Sequence, residues 1–333
     1  MPTYFITGGT GFVGSHVAEQ AQLRGHVVRC LARSGSDTAF LQSIGAEIIP
    51  GDLTDREVLA KALDGVDVVV HSAAKVGDWG HADEYRAVNV EGLRHLLDAA
   101  VDKSITRFVH VSSLGVYEAR HHFGTDEREP LPESHIDGYT QSKVEAEKLA
   151  LEYHRKHGVP VTVARPGFIY GPRDRSMLPR VADQLARRWV IYIARGKYAL
   201  NTTYVGNLVD AIFLAAENPA AVGEVFNITD GEFVSKRRFF ETVADGLGLP
   251  RPKRNIPLFL GRFLANWREA VFRRKNKPHP PLITQAKLKF AGLNLDFGIG
   301  KARTVLGYDP KIGFAEGMKS ALEWYQAANL RRD

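Results

Sequence analysis

The chain has 333 residues, 44% of them hydrophobic and 25% charged, with a formal net charge of +6. That is the composition of a globular protein with ample core, and no apolar run is long enough to span a bilayer. Cys30 is the one cysteine, which excludes an intrachain disulfide and fits a reducing compartment. Its place in the apolar run HVVRCLAR makes it a buried strand thiol rather than a nucleophile.

The N-terminal MPTYFITGG runs straight into a strand without a leader pattern, so the chain reads as intracellular, in the cytoplasm. Through the first 165 residues, short apolar runs alternate with amphipathic helices. TYFITGG predicts a strand and 12–24 a helix; HVVRCLAR predicts a strand and 37–44 a short helix. AEIIPGDL is followed by a helix over 55–63, and VDVVVHSAA by one over 83–101. RFVHVSS is a strand, 137–157 a helix, and VPVTVARP a strand. These strands are continuously apolar, which means burial on both faces. Strand–helix alternation with short links predicts an α/β fold with a doubly wound parallel sheet. Helices then cover both faces, and a ligand crevice lies at the carboxyl ends of the strands.

After Pro166 the texture changes. A basic helix over about 177–189 precedes a return to the sheet through TYVGNLVDAIFLAAE and EVFNITD. From about 230 onward the chain is rich in Pro, Arg and aromatics. The expected division is a dinucleotide-binding domain of 1–165 plus about 200–229. A smaller, discontinuous C-terminal substrate domain takes about 166–199 plus 230–333.

TGGTGFVG, residues 7–14, follows the first strand and opens a helix. Gly8, Gly11 and Gly14 are spaced three apart, and Gly9, Gly11 and Gly14 satisfy G-x-G-x-x-G. Glycines permit the tight turn and let backbone approach a pyrophosphate at a helix N-terminus. With Phe12 and Val13 they form the candidate phosphate cradle. At the tip of the second strand an acid would favour NAD. This chain has Arg33 and Ser34 there, with Asp37 further out. A guanidinium suits a 2′-phosphate, so NADP is the preferred cofactor and NAD the alternative.

GDLTD, with Asp52 and Leu53, and HSAAKVG, with Ala73, Ala74, Lys75 and Val76, each follow a strand where a loop can flank an adenine or a ribose. His71 reads as a packed strand-end residue. Asn89 sits mid-helix, where Asn is mildly unfavourable, which points to a structural or cofactor-side hydrogen bond. Ser112 and Ser113 end a strand, where hydroxyls serve a substrate oxygen or a turn equally well. One loop later, DGYTQSKVEAEKLA sets Tyr139 four residues before Lys143, on one helix face toward the same crevice. The adjacent histidines of RHHFG have no carboxylate or cysteine at metal-ligand spacing, so no metal site is expected.

In order and at fitting intervals, TGGTGFVG, GDL, HSAA, NVEGLRHLLDAA, VSSLGVY, YTQSK and ARPGFIYGP resemble the extended short-chain dehydrogenase/reductase superfamily, the NAD(P)-dependent epimerase/dehydratases. The resemblance covers the first 230 residues. It implies a Rossmann sheet and a catalytic set of Ser113, Tyr139 and Lys143, with Tyr139 and Lys143 as the family's Y-x-x-x-K pair. Lys143 would also hold the nicotinamide ribose. Pro166, Gly167 and Ile169 would line the nicotinamide, and Ser113, Val76, Phe168 and Tyr204 the substrate. A phenol is a poor base at neutral pH, and the ammonium of Lys143 with the oxidised cofactor's positive ring would lower its pKa. A hydride then moves between a substrate carbon and the nicotinamide.

Sugar-nucleotide members usually read R-Y-F-N-x-x-G where this chain reads RPGFIYG, and Phe168 replaces the asparagine that helps hold a diphosphate. RPGFIYGP and NTTYVGNLVDAI instead look like the 3β-hydroxysteroid dehydrogenase branch. VGDWG at 76–80 and YRAVNVEG resemble its bacterial members, including β-ketoacid reductases of long-chain hydrocarbon synthesis. The implied activity interconverts a β-hydroxyl and a ketone on a sterol-like or long-chain acyl substrate. The alternatives are a nucleotide-sugar epimerase or dehydratase and a non-catalytic NADP-binding regulatory protein.

Between Arg251 and Lys289 stand eleven Lys/Arg and one acid, Glu269. Within that segment, Ile256, Leu260, Phe263, Leu264, Trp267 and Val271 fall on one helical stripe, with Arg262, Arg268, Arg273 and Arg274 mostly elsewhere. The favoured reading is a helix whose apolar face covers the substrate pocket. The second is a helix over 256–274 lying on an anionic membrane surface. Nucleic acid is not an expected partner, since the rest of the chain is acidic on balance. Helices 83–101 and 137–157 are the expected faces of a homodimer.

Overall fold

The computed structural model describes residues 1–77, 80–274 and 284–330. Asp78 and Trp79 of the VGDWG loop lie outside them. Seven parallel strands form the central sheet: β1 (Thr3–Thr7), β2 (Val27–Ala32), β3 (Glu47–Pro50), β4 (Val68–His71), β5 (Arg107–Val111), β6 (Val161–Pro166) and β7 (Val225–Ile228). Their order is β3-β2-β1-β4-β5-β6-β7, a doubly wound Rossmann arrangement. The winding reverses between β1 and β4, since β1 pairs with β2 on one side and with β4 on the other. The crevice therefore opens above the carboxyl ends of β1 and β4.

Continuous apolar strands bury both faces. On one face the helices Phe12–Leu23 and Val205–Glu217 pack through Val17, Ala18, Leu208, Ile212 and Phe213. On the other, the helices Arg56–Ala62, Gly92–Val101 and Gly138–His157 contribute Leu59, Leu93, Leu96, Leu97, Ala146 and Leu149. Cys30 is buried on β2, where burial pushes its thiol up to about 12.

A further core gathers Tyr170 of the short strand Phe168–Tyr170 with Leu178, Leu185, Phe239, Val243, Phe314 and Met318 from the helices Met177–Ala186, Lys236–Gly246 and Phe314–Leu330. The C-terminal sequence does not stay with it. Ile299, Ala302, Leu306 and Tyr308 join the sheet core instead, so the stretch after 230 serves both cores.

Some elements differ from the sequence reading. Of the expected return to the sheet, only Val225–Ile228 pairs with β6; Thr202–Tyr204 pairs with Phe168–Tyr170 in a separate two-stranded ribbon. The second histidine of RHHFG opens a strand that was not expected, His122–Thr125, which pairs with Leu295–Phe297. These are pairings between distant short segments, which local periodicity does not register. The helix over 83–101 is interrupted by a π-helical turn at Ala87–Glu91. That extra residue per turn sits where Asn89 reaches a loop, a common place for such a bulge.

The helix Leu258–Arg274 also departs from expectation. Phe263 and Trp267 of the apolar stripe are exposed, so this face does not cover the pocket. The side chains of Arg262, Leu264 and Arg273 lie outside the described residues. No helix among the described residues is long and apolar enough to cross a membrane.

Candidate active site

At the carboxyl end of β1 the chain turns through Gly8, whose φ is +74°. A Cβ on Gly8 would stand 2.7 Å from the Ala73 nitrogen, and one on Gly14 would overlap the Gly8 carbonyl oxygen. The loop therefore clamps β1, β4 and the first helix together only with glycine. Gly11 caps that helix with no side-chain acceptor, leaving its first N–H groups and dipole for an anion. Phe12 and Val13 begin the helix. This cradle fits a dinucleotide pyrophosphate. Arg33 is exposed one residue past β2.

The loops after β3 and β4 are held by the protein itself. The Asp52 carboxylate accepts from Thr54 N–H at 3.1 Å, and Leu53 is buried in the sheet core. Asn89 Oδ1 accepts from the Lys75 N–H at 2.7 Å, and its Nδ2 donates to Lys75 O and to Ser142 Oγ. All of these bonds tie the Ala73–Lys75 loop to the Gly138–His157 helix, so the role seen for Asn89 is structural. Lys75 pairs with Glu84. Beneath the site His71 is buried, bonded to Thr7 Oγ1 at 2.7 Å and stacked on His110.

The two serines at the end of β5 part company. Ser112 is buried and donates to Glu147 at 2.8 Å. Glu147 in turn holds Arg165 through a bidentate pair, both side chains nearly inaccessible. Ser113 lines a cavity of about 270 Å³ instead. Its Oγ accepts from the Gly115 N–H at 3.0 Å, which leaves its own proton to donate to a substrate oxygen.

Tyr139 lines the same cavity. It stands in the first turn of a helix capped by Asp137, whose carboxylate accepts from the Thr140 N–H at 2.8 Å. A Cβ on Gly138 would press on Ala82 and Tyr85, so glycine brings the Tyr85 ring to 6.2 Å from the Tyr139 ring. Lys143, one turn on, is buried and donates to the Val111 carbonyl at 2.9 Å. Burial brings its ammonium down to about 8, against the opposing pull of Glu147. Burial, Asp137 and Tyr85 hold the Tyr139 phenol up at about 12. Desolvation is the largest of these effects, and a lowered phenol remains what the resemblance implies once the oxidised cofactor's positive ring is bound beside it.

The cavity is completed by residues that are distant in sequence. Phe168 lies 4.8 Å from Phe290 and edge-on to Phe239. Leu114, Leu200, Leu295 and Phe297 add apolar wall, with Gly77, Gly115, Asp137, Thr140, Asn201 and Lys289 also in the lining. Gly167 also lines it, but its N–H already donates to Ile228 O and Thr203 Oγ1. Pro166 ends β6 beside Ile228, and Ile169 packs against the sheet core. Two expected substrate residues are elsewhere. Val76 is 71% exposed, its neighbour Gly77 taking the lining position. Tyr204 packs on Tyr170 in the C-terminal core, because the ribbon's register sets it opposite Tyr170 and leaves Thr202 opposite Phe168 of the cavity wall.

Lys289 was hidden in the basic run of the sequence. Its Nζ donates to Gly115 O at 2.6 Å and Tyr117 O at 3.1 Å. It thereby latches the helix Gln285–Gly292 to the loop that follows Ser113. Burial lowers its ammonium to about 8, with Asp137 acting in the opposite sense. The only local signal was its setting between Leu288 and Phe290.

A Rossmann sheet with this glycine cradle and a Ser–Tyr–Lys set at its crevice defines a dinucleotide-dependent enzyme. The chain belongs to the NAD dependent epimerase/dehydratase family, whose model matches residues 4–229. It is 33% identical over 322 residues to a 4-hydroxy-2-methyl-3-oxo-4-farnesyl-3,4-dihydroquinoline-1-oxide ketoreductase of Stigmatella aurantiaca, covering 94% of each chain. It is 32% identical over 334 residues to a 3 beta-hydroxysteroid dehydrogenase/Delta 5-->4-isomerase of Mycobacterium tuberculosis, covering 96% of this chain and 89% of that one. Among solved structures, the crystal structure of gox2253 matches with a TM-score of 0.84 at 28% identity, covering 98% of this chain and 99% of the other. The protein is an NAD(P)-dependent oxidoreductase of the extended short-chain dehydrogenase/reductase type.

Proposed function

We propose that the protein interconverts a ketone and a β-hydroxyl group on a hydrophobic substrate, sterol-like or a long-chain β-hydroxy or β-keto acid, with NADP as the preferred cofactor. The observation that carries this reading is the cavity. Ser113 and Tyr139 stand in a chamber walled by Leu114, Phe168, Leu200, Phe290, Leu295 and Phe297. Such a wall suits an apolar body whose one oxygen meets the polar pair. The ketoreductase and hydroxysteroid dehydrogenase names of the two relatives agree with it.

When bound, the nicotinamide supplies or accepts the hydride. In the reductive direction Ser113 donates a hydrogen bond to the carbonyl oxygen, polarising it. Tyr139 then gives that oxygen its proton as negative charge develops. Lys143, anchored on Val111 O, supports the phenolate that remains. Arg33 supports the NADP preference, since a guanidinium at the tip of β2 favours a 2′-phosphate.

The test follows absorbance at 340 nm with NADPH or NADH and a panel of 3-ketosteroids, long-chain β-keto acids and UDP-sugars. Turnover of a lipid-like ketone, at least about a thousandfold slower in Tyr139→Phe, is the expected result. Interconversion of a UDP-sugar without net NADPH use, and none of the lipids turned over, would overturn the proposal.

A further inference from the structure

The helix Leu258–Arg274 turns Gly261 and Ala265 inward. Ala265 is fully buried, and a Cβ on Gly261 would stand 3.1 Å from Leu288. Four of its large residues face water. Phe259 is 74% exposed, Phe263 68% and Trp267 58%, with Leu260 beside them at 38%. Spaced at i, i+4 and i+8, the three aromatics form one stripe along about 12 Å of helix. Burying such rings is among the larger gains open to a folding chain. A row of them left in water marks a surface that is covered in use.

Charge indicates what covers it. Arg268 and Arg274 on the helix, and Lys253 and Arg254 just before it, are exposed. They belong to the segment with eleven basic residues and one acid. A second copy of the chain would bring the same positive face to a two-fold contact and be repelled. An anionic lipid surface attracts that charge and takes aromatic rings at headgroup depth.

We infer that Leu258–Arg274 is an interfacial helix that seats the protein on anionic membranes. Its stripe of Phe259, Phe263 and Trp267 enters the headgroup layer, and the flanking arginines and lysines meet the phosphates. The opposite side of the helix packs on Gln285–Gly292 through Gly261 against Leu288, and Leu258 against Gly292. That second helix carries Lys289 and Phe290 of the cavity wall, so the membrane seat adjoins the substrate chamber.

The full-length protein is to be co-sedimented with phosphatidylcholine vesicles and with vesicles containing about 30 mol% phosphatidylglycerol. The comparison variants are F259S/F263S/W267S and, separately, R268E/R274E. All of these side chains are exposed, and unchanged circular dichroism and melting establish that each variant is folded. The expected result is binding to the anionic vesicles that falls at least about tenfold in each variant, without phosphatidylglycerol and at high salt. Failure of the wild type to bind anionic vesicles, binding unaltered in both variants, or equal binding to both vesicle types would overturn the inference. So would a wild-type dimer in sedimentation velocity that F259S/F263S/W267S converts to monomer, since the stripe would then belong to a second copy.

Discussion

Replacing Glu147 by leucine tests the buried pair behind the serines. Arg165 and Glu147 keep only 5% and 1% of their side-chain surface. Glu147 also accepts from Ser112, and Arg165 donates to the Tyr117 hydroxyl at 2.6 Å. Leucine removes the carboxylate and leaves a guanidinium that cannot shed its proton. An uncompensated buried charge costs about 3–5 kcal/mol, and the orphaned Ser112 hydroxyl adds about 1 kcal/mol. Against a total stability of about 5–15 kcal/mol, the loss is large. Tyr117 still faces Arg165, which places the expected value toward the lower end of the sum, about 4 kcal/mol. The assay is urea unfolding of the wild type, Glu147→Leu, Arg165→Met and the double variant. Removing both charges relieves the stranded ion, so the double variant should be more stable than either single one. The coupling energy should then be about 2 kcal/mol or more. A loss under about 1 kcal/mol in Glu147→Leu, or additive losses in the double variant, would refute the reasoning.

Two further outcomes follow from the same geometry. Gly14→Ala places a methyl group on the Gly8 carbonyl, so the first helix must move away from the loop; NADPH affinity by fluorescence titration should weaken at least about tenfold, and unchanged affinity would mean the cradle does not hold the pyrophosphate. Lys143 titrates near 8 because burial disfavours its charge, whereas an unperturbed lysine holds its proton to above about pH 10; kcat/KM for ketone reduction, which reports groups of the free enzyme, should therefore fall as pH rises through about 8. Lys289 is also near 8, so the fall should persist in Lys289→Met, and its disappearance there would assign the titration to the latch instead.

Much of the site was legible because its signals are local. Gly8, Gly11 and Gly14 lie within one turn of chain, and Tyr139 and Lys143 within one turn of helix. Such spacings carry their geometry with them, since strand, tight turn and helix have fixed dimensions. The doubly wound parallel sheet followed in the same way from continuous apolar strands and short links.

What tertiary structure decided lies between segments. Ser112 and Ser113 are chemically alike, and only the packing of the Gly138–His157 helix against β5 and β6 sends one to Glu147 and the other to the cavity. Tyr204 stood in a motif that suggested substrate contact, yet its pairing with Phe168–Tyr170 carried it into a different core. Lys289 lies more than a hundred and seventy residues from the carbonyls of Gly115 and Tyr117 that it grips. Sequence by itself determined the Rossmann sheet, the glycine cradle and the tyrosine–lysine pair, because each is written in short-range periodicity. The substrate wall and the outward-facing aromatics of Leu258–Arg274 depend on which distant surfaces meet, and long-range contacts leave no period in the chain.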